Sequence, residues 1–170
     1  VYLKQTLASG VIPQITAIFG TCGGGAALIP TLTDFTFMTA EGGKLFVNSP
    51  NALDGNYQAK LDTASAAYLS ENSSLVDGVF EDDATTLANI RSLVDMLPDN
   101  NMEDAESDCT DDLNRIIPNL DGFAKDARAV LQNIADNNVF VEVKKDYAKD
   151  MVLGLIKLNG ATVGCVANQA

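Results

Sequence analysis

The spacing of apolar and polar positions changes several times along this chain, and each change predicts an element. Tyr2 to Ala8 reads as the last turns of a helix, with Ser9-Gly10 as its stop ahead of Pro13. Gln14 to Phe19 carries Ile15, Ile18 and Phe19 with no charge and predicts a strand; a glycine turn comes next at Gly20 to Gly25, and Ala26 to Leu32 resumes with helix-tolerant residues. Phe35 to Met38 and Lys44 to Val47 read as short strands separated by the turn Glu41-Gly42-Gly43. Asn48 to Asn51 reads as a turn or helix entry, and Gln58 to Ser70, rich in alanine, predicts a helix suited to close packing. Leu75 to Phe80 predicts a strand. Glu81-Asp82-Asp83 then places carboxylates where a helix N-terminus favours them, and Leu87, Ile90, Val94 and Leu97 form one apolar stripe, expected in the core, on a helix ending at Pro98.

The second half begins differently. From Asp99 to Pro118 apolar periodicity is lost among many carboxylates, which predicts a solvated acidic linker, with a short helix at Asp111 to Ile117 near its end. Lys125 to Asp136 is amphipathic through Ala127, Val130, Leu131 and Ile134, and Phe140 to Lys144 alternates as a strand. Met151 to Leu158 and Ala161 to Ala167 flank Asn159-Gly160, a strong local hairpin signal, so this half starts a new sheet. Short strands alternating with helices in the first half predict an α/β fold with a mostly parallel sheet. The opening on a helix tail and the stop just after a strand read as an internal piece of a longer polypeptide.

Composition narrows the chemistry. The 170 residues suffice for one sizeable core, and a hydrophobic fraction of 46% with 20% charged residues is that of a globular protein. A formal net charge of -12 disfavours nucleic acid and anionic membrane surfaces as partners. No apolar run is long enough to cross a bilayer and the opening residues lack the pattern of a signal peptide, so a cytoplasmic location and no membrane insertion are expected. With no histidine, no zinc site and no Ser-His or Cys-His arrangement is expected, and Cys22, Cys109 and Cys165 have neither metal nor disulfide spacing. No metal site is expected.

The glycine turn, GTCGGGA from Gly20 to Ala26, is the strongest chemical signal left. Successive glycines between a strand and a helix let backbone N–H groups approach a ligand closely and hold an anion, a phosphate or the oxyanion of a thioester. Neither GxGxxG nor a P-loop lysine is present, which sets aside dinucleotide and P-loop readings. Without a histidine to activate it, Cys22 reads as packing rather than a nucleophile.

The segment PQITAIFGTCGGGAALIPTLTDFTFM resembles the acyl-CoA-binding half of the biotin-dependent carboxyltransferase family, through Gly20, Cys22, Gly24 and Gly25 and then Pro30 to Phe35. Further blocks agree in order: Leu45-Phe46-Val47 before Pro50, Val76-Asp77 before Asp82-Asp83, Ile90-Arg91 before Leu97-Pro98, Asn100-Asn101, and FVEVKKDYAKDMVLGLIKLNGATVGCVANQA, with Gly154, Asn159-Gly160, Val163-Gly164 and Ala167-Asn168. The resemblance implies a crotonase-like (ClpP/crotonase) spiral fold, with residues 1–98 the C-terminal part of one domain, 99–118 a linker and 119–170 the start of a second. It implies that the backbone N–H groups of Gly24 and Gly25 stabilise the thioester enolate while a carboxyl group moves between an acyl-CoA and biotin, with Gly23 and Ala26 beside the substrate. Biotin would arrive on a partner carrier protein or domain, and the site would be completed across a homo-oligomer by a glycine pair beyond Ala170. This piece alone is then expected to be inactive.

Leu28 and Ser49 depart from the tyrosine and glycine common in the family, so the shape of the acyl pocket does not carry over. Two other readings compete. A crotonase-fold acyl-CoA hydratase or isomerase needs positioned carboxylates near the turn, and none lies between Gly25 and Asp34. A noncatalytic assembly module would use the alanine-rich helix as a packing surface.

Overall fold

A computed structural model describes residues 1–52, 61–118, 122 and 125–169. In the first half, successive strands alternate between two sheets. β1 (Ile15–Ile18), β3 (Phe35–Thr39) and β5 (Gly78–Phe80) pair in parallel in that order, while β2 (Thr21–Gly23) pairs in parallel with β4 (Lys44–Phe46). Parallel neighbours cannot be joined by a tight hairpin. The chain leaving β1 therefore visits the second sheet as β2 before returning as β3. The expected strand at residues 75–80 is paired only over β5, and β2, expected as part of the glycine turn, is a strand. Ile18, Ala27, Met38, Leu45, Ala66 and Val76 form the buried core, with Cys22 and Leu69 packed against it. Burial of side chains of this size is worth about 1.5–3 kcal/mol for each large one.

Each helix start is set by a local acceptor where one is available. Helix α1 (Tyr2–Ala8) ends at Ser9 and Gly10, the latter with φ +72. Helix α2 (Ala66–Asn72) starts where the Ser65 hydroxyl accepts the Tyr68 N–H at 3.3 Å, so the helix expected from Gln58 begins later; residues 53–60 lie outside the described residues. Asp82 caps α3 (Asp83–Val94) by accepting from the Thr85 N–H at 2.6 Å, a bond that also holds the Asp82 carboxyl below its ordinary range. Asp126 caps α4 (Ala127–Ile134) in the same way.

The face of α3 is a correction. Leu87 and Val94, expected in the core, are 55% and 54% exposed, and the helix instead buries Thr86 and Leu93 completely. Thr86 can be buried because its hydroxyl donates to the Asp82 carbonyl at 2.8 Å, leaving no orphan polar group. Met96, just past the helix, is also buried.

The second half builds an antiparallel sheet, β6 (Phe140–Val143), β7 (Met151–Leu158) and β8 (Ala161–Asn168), in that order. Asn159 and Gly160 take φ of 53 and 81, the positive values that the tight hairpin turn requires. The acidic stretch before this sheet is not simply solvated. Glu106 makes an isolated bridge to Ala161, the Ser107 N–H donates to the Gly160 carbonyl, and the Thr162 N–H donates to the Ala105 carbonyl. Asp111 to Ile117 is not a helix: the Asp111 and Asp112 carboxylates take the N–H groups of Asp112 and Asn114, satisfying the backbone in a competing way.

A buried carboxylate and a half-buried lysine tie the two halves together. Asp77, 4% exposed, accepts the Thr36 N–H at 2.8 Å and the Lys144 ammonium at 2.7 Å, and its carbonyl accepts the Lys144 N–H. Lys144, expected as the end of a strand, instead turns left-handed at φ 55 just after β6.

Candidate active site

The glycine turn is assembled by the crossing between the two parallel sheets. β1 ends at buried Ile18, and β2 then lays Cys22 against the core and Gly23 beside Phe46 of β4. A Cβ on Gly23 would stand 2.9 Å from the Phe46 ring, so glycine lets β2 and β4 close up here. Gly24 then takes φ +63, a left-handed conformation that costs an ordinary residue about 1–2 kcal/mol.

The chain beyond Gly24 is wound more tightly than the helix expected from Ala26 to Leu32. Two short 3-10 helices run over Gly24–Leu28 and Pro30–Leu32. Pro30 has no N–H to continue the first run, and the Ile29 N–H closes that run on the Ala26 carbonyl at 3.0 Å. Ala27 points into the core at 3% exposure, while Gly25 and Ala26 face outward. Gly23, Gly24, Gly25 and Ala26, the residues singled out from the sequence, thus form one continuous rim at the start of a helix. The first N–H groups of a helix have no partner within it, and among the described residues no side chain caps this one. A Cβ built on Gly24 would meet nothing within 4 Å, so the approach to this backbone is open. A rim of this kind suits a small anionic oxygen.

The brace behind the rim has no signature in the sequence. The Tyr2 hydroxyl, on α1, donates to the Gly25 carbonyl at 2.5 Å, and the Gln5 amide donates to the Ile29 carbonyl at 3.1 Å. The Gln14 side chain in turn donates to the Gln5 carbonyl at 3.0 Å. No local pattern marks these contacts, since each joins residues 9 to 24 positions apart. Asp34 closes the other side by accepting the Gln14 N–H at 2.8 Å. Of the two departures from the family pattern, Leu28 is 44% exposed beside the rim and Ser49 is exposed.

Among the described residues no group of three or more His, Cys, Asp or Glu side chains is arranged to hold a metal ion. No helix of the described residues is long and apolar enough to cross a membrane.

The model of the carboxyl transferase domain family matches residues 1–170. The propionyl-CoA carboxylase beta chain of Roseobacter denitrificans is 38% identical over 180 residues, which cover 99% of this chain and 35% of that protein. The methylmalonyl-CoA decarboxylase subunit alpha of Propionigenium modestum is 34% identical with the same coverage. Among solved structures, the hexameric transcarboxylase 12S with hydrolysed methylmalonyl-coenzyme A bound is 32% identical with a TM-score of 0.84, over 99% of this chain and 34% of that one. The chain spans about a third of the length of these relatives.

Proposed function

The chain belongs to the carboxyl transferase domain family, and from that membership we propose that it supplies the acyl-CoA half of a biotin-dependent carboxyl-transfer site. In this reading the fold is a crotonase-like spiral, with residues 1–98 closing one domain, 99–118 connecting and 119–170 opening a second. The strands alternating between two parallel sheets support that reading of the first half.

The observation that carries the function is the open, left-handed Gly24 at the start of an uncapped helix. Moving a carboxyl group to or from the carbon next to a thioester places negative charge on the thioester oxygen. The N–H groups of Gly24 and Gly25 are the donors assigned to that oxygen, with Gly23 and Ala26 flanking the acyl group. Donors held in place before the charge develops cost no reorganisation, and losing one typically lowers turnover about 100- to 1000-fold. No side-chain base is needed on this half, which agrees with a chain that has no histidine. Biotin, borne on a carrier protein or domain, supplies the nitrogen that exchanges the carboxyl group; no residue of this chain is assigned to hold it. The remaining half of the site is assigned to another part of the full protein in a homo-oligomer.

In the intact parent protein, Gly24→Val should lower carboxyl transfer from methylmalonyl-CoA to free biotin, which leaves propionyl-CoA, by about 100-fold or more. A wild-type rate in that variant would remove the donor role. Comparing carboxylated acyl-CoA donors of different chain length would assign the acyl group.

A further inference from the structure

We infer that Tyr2 is a positioning residue for the enolate-binding rim, an inference that rests on the function proposed for Gly24 and Gly25. Its hydroxyl donates to the Gly25 carbonyl at 2.5 Å and stands 3.3 Å from where a Gly25 Cβ would be, so it touches both the carbonyl and the Cα side of that residue. The peptide joining Gly24 to Gly25 is flanked on both sides by residues without a Cβ. The Gly23–Gly24 peptide shares that freedom, but Gly23 is held by the pairing of β2 with β4, so the Gly24–Gly25 link is the less restrained of the two. Rotation there would swing the Gly25 N–H away from a thioester oxygen. Holding the Gly25 carbonyl removes one of the two torsional freedoms of Gly25 and so narrows the range of that N–H. The holder is itself held: Gln5 grips the Ile29 carbonyl, just past the far end of the first 3-10 run, and Gln14 grips the Gln5 carbonyl.

Helix α1 contributes no buried residue, so its link to the rim is made by these hydrogen bonds rather than by core packing. This separates positioning from stability. Deleting the Tyr2 hydroxyl removes one bond to a carbonyl that water can reach, and leaves the core untouched.

The test is Tyr2→Phe in the intact parent protein, beside Gly24→Val, with carboxyl transfer to free biotin followed over a range of acyl-CoA concentrations. Tyr2→Phe should lower kcat about 3- to 10-fold, the range one neutral hydrogen bond commands, with KM for the acyl-CoA and the melting midpoint unchanged. Replacing Tyr2 by 4-aminophenylalanine, which restores a donor at the ring tip, should recover most of the loss. A Tyr2→Phe enzyme with wild-type kcat while Gly24→Val is inactive would overturn the role of Tyr2 and leave the rim's function standing. Loss expressed as a higher KM at unchanged kcat, or a lower melting midpoint that 4-aminophenylalanine does not restore, would also overturn it. Wild-type behaviour in both variants would overturn the enolate reading, and this inference with it.

Discussion

Two glycine turns in this molecule present successive backbone N–H groups, and they differ in what those groups face. At the hairpin tip, the Asn159 and Gly160 N–H groups donate to the two oxygens of Asp136, at 3.1 and 2.7 Å, and Asp136 is only 8% exposed. A Cβ on Gly160 would lie 1.9 Å from the Ser107 carbonyl oxygen, so the acidic segment packs directly over that turn. At Gly24, among the described residues, no side chain caps the helix start and nothing stands over the residue. The protein supplies its own carboxylate to one turn and leaves the other open. The first is architecture, and the second is suited to a ligand's oxygen.

The contrast is sharpest when one substitution is made at both turns. Gly160→Val combines overpacking with a strained left-handed residue and should cost about 3–5 kcal/mol in denaturant unfolding of the intact protein. Gly24→Val should cost only about 1–2 kcal/mol, because it meets the backbone strain alone, while lowering turnover about 100-fold or more. Equal destabilisation would erase the distinction. Next in size is Lys144→Met, which strands the buried Asp77 carboxylate and should cost about 3 kcal/mol, largely recovered by the added change Asp77→Asn. A negligible effect would mean that the Lys144 side chain adds nothing to the other contacts between the two halves, the Lys144 N–H to Asp77 carbonyl bond among them. Asp136→Asn keeps one acceptor oxygen for two donors and should cost about 2 kcal/mol, with faster amide exchange at Gly160.

The smallest effect depends on pH. The Asn137 N–H, chiefly, together with the Arg115 guanidinium and the Asp112 N–H, holds the Asp111 carboxyl below its ordinary value of 3.8. A depressed carboxylate stabilises the fold above its ordinary value and loses that contribution as pH falls through the depressed one. The stability gap between wild type and Asp111→Asn should therefore narrow as pH is lowered below 3.8. A gap independent of pH in that window would show that Asp111 binds the 136–138 turn no better charged than neutral.

What could be read from the sequence was what local pattern encodes. Short apolar runs located β1, β3, β4, β7 and β8, and Asn159-Gly160 announced its own hairpin. The four rim residues are contiguous, so the candidate site was legible as a motif. β2 was not, because Thr21-Cys22-Gly23 has no alternation and is a strand only by pairing with β4. The face of α3 was misassigned because apolar periodicity cannot foresee a threonine whose hydroxyl is satisfied one turn earlier. Nothing in the local sequence marks what Asp77, Asp111 and Asp136 pair with, yet each holds a group 23 or more residues away in the chain. Tyr2 escaped for the same reason.

The alternation of strands between the two parallel sheets also bears on the order in which the molecule folds. Ile15 pairs with Phe35, Thr21 with Lys44 and Phe37 with Gly78, so every pairing in the first half must close a long loop before it gains anything. β7 and β8 are joined by two residues, and a hairpin of that kind closes in about 1–10 μs. The hairpin, although it lies C-terminal to these strands, is expected to be the early scaffold. The rim at Gly24, fixed only once β1 to β4 have met, is then among the last features to acquire its geometry, and slow-folding variants should lose activity before they lose secondary structure.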